Sequence, residues 1–422
     1  MNIQAQLQLK RTDFFSADVR ARVNRLLPEL IFLFGSIVLS FLFSHFEAQL
    51  FLYQAPSVYS DFSYLFFTGV LAVGSLIWGR ILDLYDDVFT LGASFPCLFT
   101  GLMVLFLELS IHVYLFGMFL IILSISSFLP FYIRRLAFFY PKDAFLSLFA
   151  KKLALLSIVV YITIFVAKAD LFMEYYHPTF LAFASVTVLL FLFMSLYLKD
   201  NINKVYFEPH TNFVVPMKEV IDIHKSFFPL IKSILSNPMI FSYMFMMSFP
   251  LSGILCFFMI SPYILSENKY IYEEYILVSG FICFFFSVSS MITSYCHQKF
   301  SPDVLIRAGN LLIVLASFLF INIMAKSYFS HFAFAFPLLI WAYSMGMSYA
   351  TSLTVAISYA QRSTGLLIGL TTVAQFLITI FYYSFVIVFH QDYRFTLAAT
   401  LILIAMHGSW IYYSMVVSRL KP

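Results

Sequence analysis

Apolar residues in this chain come in long unbroken runs, without the strict alternation of a strand or the three-and-four spacing of a water-facing helix. Each run is about 20 residues, the length of helix that crosses roughly 30 Å of hydrocarbon. Twelve runs stand out, at 26–46, 63–82, 89–110, 113–133, 152–169, 178–198, 239–263, 275–295, 303–324, 332–356, 364–389 and 395–417. They predict an all-α polytopic membrane protein with 12 transmembrane helices. The longest polar interval, 199–238, separates the sixth run from the seventh. Inside it MKEVIDIHKSFFPLIKSIL (217–235) is basic and amphipathic, and it is expected along the inner membrane surface. The pattern divides the chain into a cytoplasmic N-terminal segment (1–25), a six-helix half (26–198), a cytoplasmic linker (199–238), a second six-helix half (239–417) and a cytoplasmic tail (418–422). Carriers commonly have two such halves, with a binding site between them near the bilayer midplane.

Composition agrees with a bilayer as solvent. The 422 residues are 62% hydrophobic and 20% aromatic, and only 11% are charged, against about 25% in soluble domains. The net charge of +4 forms no patch that would suit nucleic acid. The basic residues sit at the ends of the runs, where they report topology. With the N-terminus placed inside, only Lys168, Lys269, Lys326 and Arg394 of the 25 Lys and Arg fall outside. One span more or fewer would scramble that alternation. No short apolar run with a small-residue cleavage site follows the basic N-terminal residues, so no signal peptide is expected. Cys97, Cys256, Cys283 and Cys296 lie within or beside apolar runs without metal-ligand spacing and read as small core residues.

WGRILDLYDDVFTL (78–91) crowds Arg80, Asp83, Asp86 and Asp87 between runs 2 and 3, a position expected to be a cytoplasmic turn. Ionisable groups within the bilayer are costly and therefore candidates for function. Glu47, at the outer end of span 1, is the candidate for proton coupling, because desolvation raises a carboxylate's affinity for a proton. Its alternative is a side chain reaching the outer interface beside His45 and Gln49. Glu29 and Glu108 read as interfacial, and His407 in span 12 reads as a packing histidine. Tyr161, Ser252, Tyr343, Ser348, Thr372 and Gln375 are the polar residues within spans singled out as substrate-cavity candidates. An apolar pocket with a few such groups suits an amphiphilic small molecule. No catalytic constellation, phosphate loop or metal-ligand cluster is legible, so neither an enzyme nor a cofactor is expected.

Several segments resemble transporters of the major facilitator superfamily. Gly79 and Asp83 fit the G-x-x-x-D opening of that superfamily's loop 2–3 motif. SPYIL (261–265), TGLLIGLTTVAQF (364–376) with Gly365, Leu370, Gln375 and Phe376, and FYPKDAFLSLFAKKLALLSIVVY (139–161) resemble its bicyclomycin-resistance branch of drug/proton antiporters. Glu47 falls where that branch has an intramembrane Asp. The resemblance implies the major facilitator fold and a monomer in a bacterial inner membrane with both termini cytoplasmic. It also implies secondary transport of a small amphiphilic molecule, outward and proton-coupled, with membrane lipid and protons as further partners. By the same resemblance, Asp83 would sit against the N-terminus of span 11, near Arg362 to Gly365. There Gly79, Arg80, Asp83, Arg134 and Arg362 would form a cytoplasmic gate. The chain also departs from the pattern. Span 4 has no intramembrane Arg, 153–167 lacks Pro and Gly, and Asp86 and Asp87 stand where small or basic residues are usual. These departures keep two alternatives open: a metabolite or siderophore carrier without standard proton antiport, or a transporter-derived scaffold or sensor that does not transport.

Overall fold

A computed structural model describes residues 26–42, 58–85, 87–107, 111–140, 142–167, 176–205, 227–267, 272–325, 331–360, 363–388 and 393–417. Hydrocarbon offers no partner for backbone amides and carbonyls, so each crossing segment satisfies them internally as helix. The N-terminal half contains α1 (Leu26–Leu42), α2 (Val58–Leu84), α3 (Asp87–Leu107), α4 (Ile111–Ile125), α5 (Phe128–Phe139), α6 (Lys142–Ala167) and α7 (Tyr176–Val205). A short helix, α8 (Phe227–Ser236), precedes the C-terminal half. That half contains α9 (Pro238–Glu267), α10 (Tyr272–Cys296), α11 (Pro302–Ala325), α12 (His331–Ala360), α13 (Thr364–Val388) and α14 (Tyr393–Ile411), the last ending in a π-helical turn, Tyr412–Val417. Every run predicted from hydropathy carries helix. Eight of the helical segments are long and apolar enough to cross a membrane by length and composition, with α4 and α5 counted as one segment.

The predicted boundaries shift in three places. Span 4 is two helices: the chain turns at Ser126 and Ser127. Pro130 explains the break, since it has no N–H to offer the Ser126 carbonyl four residues back. That carbonyl accepts instead from the Ser75 hydroxyl of α2 at 3.3 Å, and the Leu123 carbonyl accepts from Trp78 Nε1 at 2.7 Å. The freed backbone thereby docks span 4 onto α2. The expected turn at 80–87 is mostly helix, because α2 continues through Leu84 and α3 begins at Asp87. Arg80 therefore lies within a helix and is only 7% exposed. Helix α7 runs on to Val205, past the predicted edge at 198, since a helix can outlast its apolar stretch. Of the amphipathic stretch at 217–235, the first ten residues lie outside the described residues, and the rest falls in α8, joined to α9 by an Asn237 cap. Asn237 Oδ1 accepts the amides of Met239 at 3.0 Å and Ile240 at 3.3 Å.

Within the C-terminal half, α9 and α13 run parallel and are stitched by small polar groups one turn apart. Ser248 Oγ reaches the Thr371 carbonyl at 3.5 Å, Ser252 Oγ the Gln375 carbonyl at 3.0 Å, and Cys256 Sγ the Thr379 carbonyl at 3.9 Å. The seam between the halves is formed chiefly by α2 against α13 and α6 against α10. The first pair is antiparallel, as its facing residues show: Gly79 meets Gly365 and Gly69 meets Phe376.

Candidate functional site

The seam draws tightest where α2 ends and α13 begins. A Cβ at Gly79 would collide with the Gly365 carbonyl, and one at Gly365 with the Gly79 carbonyl and Asp83 Oδ1. One turn further in, a Cβ at Gly369 would strike the backbone of Ser75 and Leu76. The chain has only 14 Gly, yet glycine stands where these two backbones touch, the close approach that small residues permit between membrane helices. With the helices that close, Asp83 reaches across the seam. Its Oδ1 accepts the Gly365 amide at 3.1 Å and its Oδ2 the Leu366 amide at 2.8 Å. Two of the unpaired N–H groups at the start of α13 are thus satisfied by a carboxylate from the other half, at the positive end of the helix dipole. Arg134 and Arg80 are the cations whose field reaches that carboxylate.

A second charge cluster flanks the first. Asp87, in the first turn of α3, pairs with both arginines near the end of α5: Arg134 Nη1 lies 3.6 Å from Oδ1, and Arg135 Nε meets Oδ2. The acid at 87, which reverses the usual charge of the loop 2–3 motif, is therefore matched by bases on span 4. Arg80 stands over the Phe227 ring of α8 at 5.9 Å, which ties the segment entering the C-terminal half to this same end. Glu29 accepts from Lys152 Nζ at 2.6 Å, linking α1 to α6. At the other half of the seam, Ser147 of α6 and Ser294 of α10 share a hydrogen bond of 3.0 Å, and Lys151 Nζ lies 5.2 Å from the centroid of the Tyr295 ring.

Of the predicted gate residues, Gly79, Asp83, Arg80 and Arg134 share this end of the bundle, whereas Arg362 and the proton-coupling candidate Glu47 lie outside the described residues. The cavity candidates fare differently. Ser252 is fully buried, and its hydroxyl bonds to the Ser248 and Gln375 carbonyls. Ser348 is fully buried against Gly309 of α11, donating to the Ser344 and Met345 carbonyls. In both, the hydroxyl proton goes to backbone, so what is left for a ligand is the acceptor side of the oxygen. Tyr343 is half-buried and its carbonyl accepts from Ser289 Oγ. Thr372 is half-buried, with its hydroxyl on the Ile368 carbonyl at 3.0 Å. The side chain of Tyr161 lies outside the described residues. Gln375 is 7% exposed, and its side-chain amide is a hydrogen-bond partner of the Tyr349 hydroxyl on α12. A primary amide has more hydrogen-bonding capacity than that one contact uses, which makes Gln375 the strongest remaining candidate to hold a ligand. His407 shares a hydrogen bond through Nδ1 with the Tyr382 hydroxyl, and the residue is otherwise exposed.

The Asp87 pairing with Arg134 and Arg135, and the α9–α13 stitching, were not anticipated from sequence. The second had a visible signal, since Ser248, Ser252 and Cys256 recur every four residues, as do Thr371, Gln375 and Thr379.

No family model and no curated protein matches the chain. Among solved structures it is similar to the crystal structure of a bacterial homologue of the iron transporter ferroportin in an outward-facing state. The two share 13% identity with a TM-score of 0.70, over 93% of this chain and 99% of the other. The likeness extends over both six-helix halves and gives the chain the major facilitator fold.

Proposed function

We propose that the protein is a secondary transporter that works by alternating access and is closed, in this structure, at the end where Asp83 meets α13. The observation that carries the reading is the make-up of that closure: two carboxylate-to-amide hydrogen bonds and a glycine-on-glycine crossing, all between halves. Such contacts hold one state firmly, yet they lie between the halves and not within either core, so the halves can part without dismantling either. A static scaffold would gain more from large interlocking side chains there. The positions of Lys and Arg support the cytoplasm as the closed side. The cargo is a small amphiphilic molecule held among aromatic and aliphatic side chains, with Gln375 as a hydrogen-bonding anchor. The motif resemblance supports outward movement driven by protons through Glu47. An iron species is the second reading for the cargo, favoured by the fold likeness to a homologue of an iron transporter. Among the described residues no three His, Cys, Asp or Glu side chains gather as a metal site.

Uptake into proteoliposomes of the purified protein tests this directly. Lipophilic dyes and ferrous and ferric chelates are offered with and without a pH gradient. Saturable dye movement that rises with the gradient and is weakened by Gln375→Leu is the expected result. Movement of iron alone would favour the second cargo, and no movement above protein-free vesicles would refute transport.

A further inference from the structure

At the same end of the seam, α6 and the end of α10 border an open cleft of about 520 Å³, lined by Tyr140, Ala144, Ser147, Leu148, Lys151, His297 and Gln298. We infer that this cleft is a binding site for a phosphate-bearing anion, composed jointly by the two halves. Its size suits a compact ligand headgroup. The lining from α6 recurs at three- and four-residue steps, so one face of that helix's first turns, at the positive end of its dipole, forms the wall. Lys151 makes no ion pair among the described residues, and its ammonium group rests against the Tyr295 ring. Two nearby acids among the described residues are engaged elsewhere: Glu29 holds Lys152, and Asp87 holds Arg134 and Arg135. No carboxylate is among the described lining residues. His297 contributes an Nδ1 that is buried with no hydrogen-bond partner among the described residues. Ser147 and Gln298 add neutral donors, and Tyr140 an amphipathic ring of the kind found at a membrane edge. One cation, several neutral donors and an unfilled ring nitrogen around one space make a recognition set for phosphate oxygens.

The lining crosses the seam. Four of the residues come from α6, Tyr140 caps the end of α5, and His297 and Gln298 follow the end of α10, beside the Ser147–Ser294 hydrogen bond that joins the halves. An anion bound there stabilises the state closed at this end, and separating the halves divides its site. This second step rests on the alternating-access reading; binding itself does not.

The test uses the full-length protein in detergent micelles, with inorganic phosphate, dioctanoyl phosphatidic acid and the zwitterionic dioctanoyl phosphatidylcholine as probes. Saturable binding of phosphate or phosphatidic acid is expected, weakened about tenfold or more by Lys151→Gln and unchanged by Lys232→Gln on α8. Lys151 is exposed, so the substitution leaves folding intact. Preference for phosphatidic acid over phosphate identifies a lipid headgroup as the source, and the reverse identifies a soluble phosphate compound. Absence of binding by both, or equal weakening by the two lysine substitutions, would overturn the site. If binding occurs yet the amides of Gly365 and Leu366 gain no protection from hydrogen exchange, the coupling to closure fails while the site stands.

Discussion

Replacing Asp83 with Asn isolates the contribution of its charge to the closed seam. The carboxylate accepts two backbone amides, at 3.1 and 2.8 Å, from the first turn of a helix in the other half. An Asn of the same shape retains one acceptor oxygen, so it keeps one bond, now neutral, and turns an amide donor toward the other N–H. A charge-assisted hydrogen bond is worth about 1.5–3 kcal/mol net, and a carboxylate at a helix N-terminus gains about 0.3–1 kcal/mol from the dipole. Part of the lost bond is recovered by water once the seam loosens, so the closed state weakens by about 2 kcal/mol. At about 1.4 kcal/mol per factor of ten, the seam opens roughly 30-fold more often. Hydrogen–deuterium exchange followed by mass spectrometry on peptides covering 364–370 reads this directly, because amide protection tracks the free energy of local opening. Protection there should fall by about that factor in Asp83→Asn and further in Asp83→Ala, while α14 keeps its wild-type rate. Wild-type protection of 364–370 in the Ala variant would refute the reasoning, since the carboxylate could not then be what holds these amides.

Gly365→Leu places a side chain where Gly79 and Asp83 already stand. Overpacking of this kind costs about 1–3 kcal/mol, and it should lower the protection of 364–370 with little change in helix content by circular dichroism. Asp87→Asn and Arg135→Gln should each lower the thermal midpoint in micelles, and the double variant should lose less than the sum. A coupling of about 1 kcal/mol or more is expected for groups in direct contact and only 11% and 17% exposed; strict additivity would show that the pair does not interact. Ser75→Ala removes the donor to the carbonyl that Pro130 leaves open. The loss should be about 0.6 kcal/mol, typical of a hydrogen bond between membrane helices, and full recovery in Ser75→Thr would tie it to the hydroxyl. Glu47→Gln should abolish the dependence of transport on a pH gradient without affecting membrane insertion, and an unchanged pH profile would remove Glu47 from the coupling.

The spans were legible because lipid imposes a rule on sequence: a segment that crosses must be apolar for about 20 residues, and nothing else in the chain needs to be. That rule says nothing about where helices meet. The two-helix form of span 4 follows from Pro130, which is plain in the sequence, but its consequence depends on Ser75 and Trp78 waiting on a helix some fifty residues earlier. Asp87 looked like a departure when set against the loop motif alone, since its partners Arg134 and Arg135 belong to another span and only folding brings them together. The backbone partners of Ser252 and Ser348 were hidden for a related reason. Composition shows that a hydroxyl lies in the membrane but not whether it faces a cavity or a neighbouring backbone, and in both cases backbone accepts its proton. Gly79 and Asp83 were legible as a pair because the constraint on them is local and severe. A carboxylate one turn beyond a glycine reaches across a helix crossing only when the glycine lets the other backbone come within hydrogen-bonding range. The spacing G-x-x-x-D is therefore itself a geometric statement: closeness at Gly79 is what puts the α13 amides within reach of Asp83, and neither residue could form the contact without the other.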